Sequence, residues 1–470
     1  LYHSCFAYSG LESLRLPKNL SKIEEEVFQE CTNFAEITVD PENTHFVAED
    51  NVLYNKAKTT LVLYPCARKG ESFEVPAGVT GIAQYAFYGA SNLKEVTLPE
   101  DMTSLGGFAF SHCRSLESIN LPDSLVTIGL NAFEYCTSLS AFDLPATVKT
   151  IGRYAFYCCS NLESVRAAQD AALTRIGYAA FAYTGIKTFS MPATVSSMGQ
   201  LVFSGCSNLQ EVHFVKGSKL TSISAWMFDG ADSLKKITFD EDSALNYVSA
   251  RAFEHLKALV SVDLSNCKKL QKIGNYAFNT CLKLEIVTLP ENVEEIGRYS
   301  FYNCRNLSRL QIPVSVNKIA AYAFGNTKDI ELFFDGTELP KNLETNWNYG
   351  VKGYYLGASD KTVSGDWVYV LHSDDTVSVC GYRGSETALD LKTVDGHVVS
   401  SIGFAAFRDS AVESIKLYSG ITSIGDYAFA GTKKLTTLEI PDTCTYIGSH
   451  AFDNAGIEEL TFADNATLSQ

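Results

Sequence analysis

The stretch LESINLPDSLVTIGLNAFEYC, residues 116–136, decides the fold of this chain, because close copies of it follow one another along most of the sequence. A repeat of this length cannot bury its apolar face alone, so neighbouring copies must stack and share one core, which predicts a solenoid. The phenylalanine of this pattern, which follows alanine in eleven copies, occurs in sixteen copies, 22 to 25 residues apart within each uninterrupted run. These residues are Phe6, Phe28, Phe87, Phe110, Phe133, Phe156, Phe181, Phe203, Phe228, Phe253, Phe278, Phe301, Phe324, Phe407, Phe429 and Phe452.

The apolar spacing within one copy predicts a coil with three sides. Ile119 and Leu121 alternate with polar residues, which indicates a short strand with one buried face. Residues 125–128 form a return segment on a second side. Ala132 and Cys136 are four residues apart, which is helical spacing and predicts one or two helical turns on the third side. The expected fold class is an α/β repeat of about sixteen such coils.

Two further positions of the repeat favour small residues. Glycine follows the isoleucine in many copies, as at Gly129 and Gly152, which indicates either a positive φ or close backbone approach. Seven of the thirteen cysteines lie three residues after a column phenylalanine: Cys31, Cys113, Cys136, Cys159, Cys206, Cys281 and Cys304. In-register coils would place them about 4.8 Å apart, whereas a disulfide needs Cβ atoms at roughly 3.5–4.5 Å. We therefore expect reduced thiols and no zinc site.

The repeat is interrupted between Phe28 and Phe87 and again between Phe324 and Phe407. Each gap contains hairpin-like sequence: Asn51–Asn55 with Thr60–Pro65 in the first, and Trp367–Leu371 with Thr376–Val379 in the second. The predicted segments are therefore N-terminal repeats 1–39, a β-hairpin insert 40–75, the main solenoid 76–334, an aromatic-rich β insert 335–400 and C-terminal repeats 401–470.

The second insert is the first candidate for a binding surface. It contains Trp347, Tyr349, Tyr354 and Tyr355, and an aromatic cluster of this density can stack on sugars or bind a protein. Insertions between repeats also tend to lie on one face and to carry binding. The alternative is that these rings fill the small core of a module that lacks the leucine lattice.

The outward face of the strands is the second candidate, with Glu211, His213, Lys236 and Arg309 as the candidate binding residues on it. These positions alternate with the buried ones, so their side chains would form a polar ribbon along the stack. The alternative is that such residues are simply well suited to a half-exposed strand.

Composition and motifs argue against several other classes of protein. The formal net charge of −16, without a Lys/Arg cluster, disfavours a nucleic-acid partner. No apolar run approaches the roughly 18 residues of a membrane-spanning helix. The chain contains no His-Glu-x-x-His, no Gly-x-Ser-x-Gly, no phosphate loop and no dinucleotide fingerprint, so we expect neither catalysis nor a metal or other cofactor.

The pattern Leu-x-x-Ile-x-Leu-Pro, Ile-Gly-x-x-Ala-Phe and a following Cys resembles the BspA-like, or treponemal-type, leucine-rich repeat. This resemblance implies a leucine-rich-repeat solenoid and an exported bacterial protein at the cell surface that adheres to a protein or glycan on host or neighbouring cells. A signal or anchor segment would lie outside this chain. The alternatives are a structural spacer or surface-layer scaffold without a specific ligand, and an enzyme subunit whose catalytic part lies elsewhere.

Overall fold

The computed structural model describes residues 1–168, 170–327, 329–464 and 468, and it divides into two compact units. Unit 1 comprises Leu1–Asn306 and Ala320–Ala323, and unit 2 comprises Leu307–Ile319 and Phe324–Gln470. Within each unit the chain winds in successive coils, and a regular coil contributes one leading strand and one return strand.

The leading strands correspond to the Leu-x-x-Ile-x-Leu segment of the repeat. Successive leading strands pair in parallel and in register, so Phe142 lies beside Val165 of the next coil. Their residues are alternately exposed and buried, as in Ala141–Leu144, because successive side chains of a strand point to opposite faces. In unit 1 they are Ser13–Leu16, Glu36–Val39, Ser72–Glu74, Glu95–Thr97, Ser118–Ile119, Ala141–Leu144, Ser164–Ala167, Thr188–Met191, Glu211–Phe214, Lys236–Phe239, Ser261–Asp263 and Ile286–Thr288. In unit 2 they are Arg309–Ile312, Ile330–Phe334, Val351–Leu356, Ala388–Asp390, Ser414–Lys416, Thr437–Ile440 and Glu459–Phe462.

The return strands form the second side of the coils, and most cover only the two residues before the glycine position. In unit 1 they are Phe46–Glu49, Val52–Asn55, Thr60–Leu63, Gly81–Ile82, Ser104–Leu105, Thr127–Ile128, Thr150–Ile151, Arg175–Ile176, Ser197–Met198, Ser222–Ile223, Tyr247–Val248, Lys272–Ile273 and Glu295–Ile296. In unit 2 they are Lys318–Ile319, Asn342–Leu343, Thr362–Ser364, Trp367–Leu371, Thr376–Tyr382, Thr393–Val394, His397–Ile402, Ser423–Ile424 and Tyr446–Ile447.

The third side of each coil is a run of turns, and the helix predicted there is wrong for the described residues, which contain no helix. In an α-helix each backbone amide donates to the carbonyl four residues earlier. Here the amides instead donate alternately to two other kinds of acceptor. The Ser111 amide donates to Phe108 O, three residues back, at 3.1 Å, whereas the Phe110 amide donates to Ala132 O of the next coil at 2.8 Å. Half of the amides on this side therefore bind adjacent coils together.

The backbone conformation on both sides of the column phenylalanine makes this pattern possible. Asn131 and Tyr135, two residues before and two after Phe133, have φ of 52° and 56°, in the left-handed region. A helix requires negative φ at both positions. The same pair of left-handed residues flanks the other column phenylalanines, with glycine at only a few of these sites.

The column phenylalanines form the interior of the stack, as the sequence predicted. The Phe133 ring is fully buried, and its centroid lies 5.4 Å from that of Phe110 and 5.3 Å from that of Phe156, with interplanar angles of 3° and 9°. In unit 2, Phe407 and Phe429 stack in the same way at 5.4 Å. Each ring is therefore covered by rings of the adjacent coils.

The column cysteines have a role beyond small size. The Cys136 thiol donates a hydrogen bond of 3.1 Å to Phe110 O, the carbonyl of the column phenylalanine one coil earlier. All seven column cysteines make this contact, at 2.8 to 3.1 Å. Where threonine replaces cysteine, as at Thr184, its hydroxyl donates to the phenylalanine carbonyl of its own coil, Phe181 O, at 2.9 Å. A buried carbonyl thereby gains a donor.

The glycine after the isoleucine is explained by close approach, and its φ is not positive at Gly152. A Cβ added to Gly152 would lie 2.5 Å from Gly129 O of the preceding coil, which is far inside van der Waals contact. The glycine column thus lets the backbones of neighbouring coils touch at this corner.

The structure contains about 19 coils, more than the sixteen counted from phenylalanine. One additional coil has Tyr64 in the column, where it stacks on Phe87 with centroids 5.0 Å apart. Another is centred on Asn348, which is flanked by the left-handed residues Asn346 and Gly350. The count of column phenylalanines does not include these coils, because their column residues are Tyr64 and Asn348.

Both hairpin regions join the return sheet of their own unit. In unit 1, Val52–Asn55 pairs antiparallel with Thr60–Leu63, which then pairs in parallel with Gly81–Ile82. In unit 2, Trp367–Leu371 pairs antiparallel with Thr376–Tyr382. The latter strand pairs in parallel with His397–Ile402. The five-segment division stays a prediction, although residues 342–356 of the expected 335–400 insert form part of the coil stack.

Replacing Phe133 with alanine should lower the free energy of unfolding by about 3–5 kcal/mol, because it removes a fully buried ring between two others. Urea denaturation monitored by circular dichroism measures the change. Leu130→Ala is the matched control, since Leu130 is exposed and should cost less than about 0.5 kcal/mol. A loss below about 1 kcal/mol for Phe133→Ala would contradict the role of the column.

All thirteen cysteines are free thiols, and the column thiols should be unreactive in the folded protein. Burial raises the pKa of Cys113 to about 12 and that of Cys136 well above its ordinary value, so little thiolate forms at pH 8. Titration with a thiol reagent should count only the more exposed cysteines before unfolding and all thirteen after unfolding without reductant. Recovery of fewer than seven column thiols would show that coils are cross-linked.

Candidate interaction surface

The outward face of the leading strands, which we call the strand ribbon, carries charges that pair from coil to coil. Parallel register places Glu211 beside Lys236, and their side chains form an ion pair of 3.0 Å. Asp143 and Arg166 pair in the same way at 3.6 Å. Other pairs on or beside the ribbon are Arg15–Asp40, Glu71–Lys94, Glu163–Lys187 and Lys216–Glu241 in unit 1 and Glu413–Lys434 in unit 2. Exposed pairs add at most about 1 kcal/mol each, but they cancel charge locally.

The other two charged candidates also contact groups within the chain. His213 Nε2 lies 3.0 Å from Asp240 Oδ1. Arg309 Nη1 lies 3.2 Å from Asp360 Oδ1, and the guanidinium carbon lies 4.1 Å from the centroid of Phe333. Glu211, His213 and Lys236 lie on adjacent strands of unit 1, whereas Arg309 belongs to unit 2.

Three of the four aromatic candidates lie in the interior of unit 2. Trp347, Tyr354 and Tyr355 are only 8, 5 and 8% exposed, whereas Tyr349 is 58% exposed. Tyr354 and Tyr355 are consecutive in strand Val351–Leu356, so they point to opposite faces of it. The Trp347 and Tyr354 centroids lie 5.7 Å apart, whereas Tyr355 packs with Phe333, Ala358 and Val370. Trp347, Tyr354 and Tyr355 were predicted to form an exposed binding surface. Their burial instead fits the stated alternative, that these rings fill a local core.

The structure places an aromatic surface elsewhere, on the turn side of unit 1. Nine rings there form one connected set, with contacting centroids 4.6 to 5.9 Å apart. We call this set the aromatic edge. Its members are Tyr85, Tyr88, Phe108, His112, Tyr135, Tyr154, Tyr157, Tyr178 and Tyr183, all partly buried except for the more exposed Tyr183. They belong to five consecutive coils.

The rings of the later part of the aromatic edge meet edge to face, and one of them, Tyr183, is exposed. Tyr157 is nearly perpendicular to Tyr135, Tyr154 and Tyr183, with interplanar angles of 80°, 88° and 77°, so these rings do not cover one another face to face. The Tyr183 ring lies against Gly205, where an added Cβ would be 2.5 Å from Cδ1, and 51% of the residue remains exposed. Flat faces of this kind can stack on a sugar, a cation or another ring.

The left-handed backbone explains why these rings lie outside the core, and the sequence did carry a signal for them. Tyr154 and Tyr135 occupy the positions two before and two after their column phenylalanines, where φ is positive. These rings lie within the predicted main solenoid 76–334, whereas the aromatic surface was expected in the insert 335–400. The recurring Tyr-Ala-Phe-Tyr at 85–88 and 154–157 would have revealed the edge.

A cleft of about 170 Å³ opens at the Tyr85 end of the aromatic edge. Its lining includes the segment 24–29, the rings of Tyr85 and Tyr88, and apolar residues such as Val62 and Leu63. Tyr85 and Tyr88 reach across it, and their hydroxyls donate to Glu26 at 2.6 Å and to Glu30 at 3.0 Å. Burial, reinforced by these carboxylates, raises the pKa of both phenols.

Neither a metal centre nor a membrane helix is found in the part of the chain that the structure describes. No group of three or more His, Cys, Asp or Glu side chains there is arranged to hold a metal ion. The described residues likewise form no helix of the length and apolar character needed to cross a bilayer.

Comparison with known families identifies the repeat. The model of the BspA type leucine-rich repeat region matches in six copies, over residues 1–63, 62–173, 128–244, 174–271, 242–345 and 397–469. The chain belongs to the BspA type leucine-rich repeat family. The predicted family and the leucine-rich-repeat solenoid are therefore confirmed. No curated protein matches the chain.

Several bacterial proteins of known structure are similar to this BspA type protein. A leucine-rich repeat protein from Bacteroides ovatus is 20% identical, with a TM-score of 0.43, over 95% of this chain and 86% of that one. A leucine rich cell surface protein from Faecalibacterium prausnitzii is 18% identical, with a TM-score of 0.38, over 91% of this chain and 89% of that one. The pneumococcal vaccine antigen PcpA is 22% identical, with a TM-score of 0.31, over 61% and 58%. Similarity at this level supports no transfer of function.

Trp347 and Tyr349 provide a direct test of the corrected assignment, because they are two residues apart and differ in burial. Trp347→Ala should lower the free energy of unfolding by about 3–5 kcal/mol through loss of a buried ring. Tyr349→Ala should change it by less than about 0.5 kcal/mol. If both substitutions had equally small effects in chemical denaturation, the assignment of Trp347 to the interior would be wrong.

Proposed function

We propose that this BspA type protein is a non-catalytic binding protein of a bacterial cell surface, which attaches to a protein or glycan on a host or neighbouring cell. The aromatic edge carries the proposal. Its nine rings form a contiguous, partly exposed aromatic patch, and tyrosine is over-represented among residues that dominate binding energy. Tyr349 and the charged ribbon residues Glu211, His213, Lys236 and Arg309 are secondary proposed contributors.

A structural spacer without a specific ligand is the alternative, and one observation favours it. Charges on the strand ribbon are paired between adjacent coils, as in Glu211 with Lys236, so the ribbon offers a partner little uncompensated charge. A protein that only holds other modules apart needs no uncompensated charge on its surface.

Capture of host cells or matrix by the purified, immobilised chain tests the proposal. The variant Tyr135→Ser, Tyr157→Ser, Tyr183→Ser should bind about tenfold more weakly or worse, because it removes three contiguous rings from the edge. Its Tm should match that of the unaltered chain. Cell counts and surface plasmon resonance against matrix proteins measure the effect.

The control removes exposed aromatic residues elsewhere: Tyr2→Ser with Tyr8→Ser should leave capture unchanged. The charge swap Glu211→Lys with Lys236→Glu, which preserves the ion pair, separates the ribbon from the edge. Loss of capture in the swap, but not in the tyrosine variant, would place binding on the ribbon. Absence of capture by the unaltered chain across the cells and matrix proteins tested would favour the spacer.

A further inference from the structure

The cleft at the Tyr85 end of the aromatic edge differs from the strand ribbon in how its carboxylates are partnered. Among the lining residues, Glu25 accepts a hydrogen bond of 3.2 Å from the Gln84 amide and Glu26 accepts one of 2.6 Å from the Tyr85 hydroxyl. Glu30, which is not itself a lining residue, accepts one from the Tyr88 hydroxyl. These donors are neutral and do not cancel charge, whereas Glu24 is paired with Lys22 at 2.9 Å and Glu26 also lies 3.1 Å from His3 Nε2. On the ribbon, by contrast, carboxylates face lysine or arginine of the next coil.

The shape and lining of the cleft fit a long cationic side chain. Its volume of about 170 Å³ is small, and its lining includes the apolar Val62, Leu63 and Ala83 as well as the Glu24–Glu26 segment. An arginine or lysine combines an aliphatic stem with a charged head, which suits a lining of apolar and carboxylate side chains. A neutral sugar would gain nothing from those negative charges.

The rings of the aromatic edge already accept guanidinium groups of the chain itself. Arg114 lies over Tyr135, with 5.9 Å between the guanidinium carbon and the ring centroid, and Arg153 lies over Tyr178 at 5.6 Å. Cation–π contacts of this length are favourable, particularly for arginine. The edge next to the cleft therefore has the chemistry to receive further cations.

The charge balance of the sequence agrees with a cationic partner. Residues 1–150 contain 19 Asp and Glu but only 10 Lys and Arg, which gives −9 of the total of −16. A negative field over these coils would attract a basic segment and raise its rate of association.

We propose that the cleft and the adjoining aromatic edge dock an arginine- and lysine-rich segment of a partner polypeptide, with one cationic side chain entering the cleft. The inference rests on the proposed binding function and specifies the class of partner. It commits to a polypeptide, and a glycan partner becomes an outcome of the test.

The test measures binding of a fluorescein-labelled peptide of four Arg-Gly-Ser repeats by fluorescence anisotropy. The cleft variant Glu25→Gln, Glu26→Gln, Glu30→Gln retains hydrogen-bond acceptors but removes three charges, and should weaken binding about tenfold or more. The control variant Glu71→Gln, Asp143→Asn, Glu163→Gln changes net charge equally on or beside the ribbon and should bind within about twofold of the unaltered chain. Thermal melting confirms that each variant is folded.

Equal weakening in the two triple variants would overturn the inference, because attraction would then depend on net charge and not on the cleft. Unaltered affinity in the cleft variant would overturn it as well. So would binding of cellohexaose to the edge without binding of the peptide, which indicates a glycan partner. Cell capture separates the two proposals: if the cleft variant still captures cells while the tyrosine variant does not, the binding function stands and the cationic partner is wrong.

Discussion

The hydrogen bonding of the turn side is the constraint on which the rest of the structure depends. Half of the amides there donate to the next coil, as Phe110 does to Ala132 O, and half close turns within their own coil. This alternation requires left-handed residues on both sides of each column phenylalanine. It fixes the spacing between coils, and that spacing lets the phenylalanine rings stack and lets Cys136 reach the carbonyl of Phe110.

The same constraint separates core positions from surface positions. Side chains at the column are enclosed by adjacent coils, whereas those of the left-handed residues, such as Tyr135 and Tyr154, lie at the surface. Residue type at the outer positions is therefore free of the packing demands that fix phenylalanine and cysteine. In a repeat protein each coil interacts mainly with its neighbours, so a binding surface can be assembled coil by coil without disturbing the core.

Much of the fold could be predicted from the sequence because the apolar positions of the repeat pattern are the buried positions of the coil. Phe133 and Cys136 were correctly placed in the interior. The helix was wrong because spacings of three and four residues describe which side chains share a face, and a run of turns with alternating amide partners has the same spacings as a helix. Tyr64 and Asn348 were missed as column residues because their coils depart from the motif. Trp347 was misplaced because nothing in its local sequence shows that the next strand continues the stack.

The distribution of charge is the feature that the repeat pattern could not reveal. Parallel register decides which outward residues meet, and it brings Glu211 to Lys236 across 25 residues of sequence. At the cleft, Tyr85 donates to Glu26 across 59 residues of sequence, so a neutral phenol contacts this carboxylate, while the neighbouring Glu24 is paired with Lys22. Two surfaces built from the same repeat thus partner their carboxylates differently: Lys236 and Arg166 pair with carboxylates on the ribbon, and the neutral Gln84 and Tyr85 side chains donate to Glu25 and Glu26 at the cleft. A cationic partner would gain most where a carboxylate such as Glu25 contacts a neutral donor.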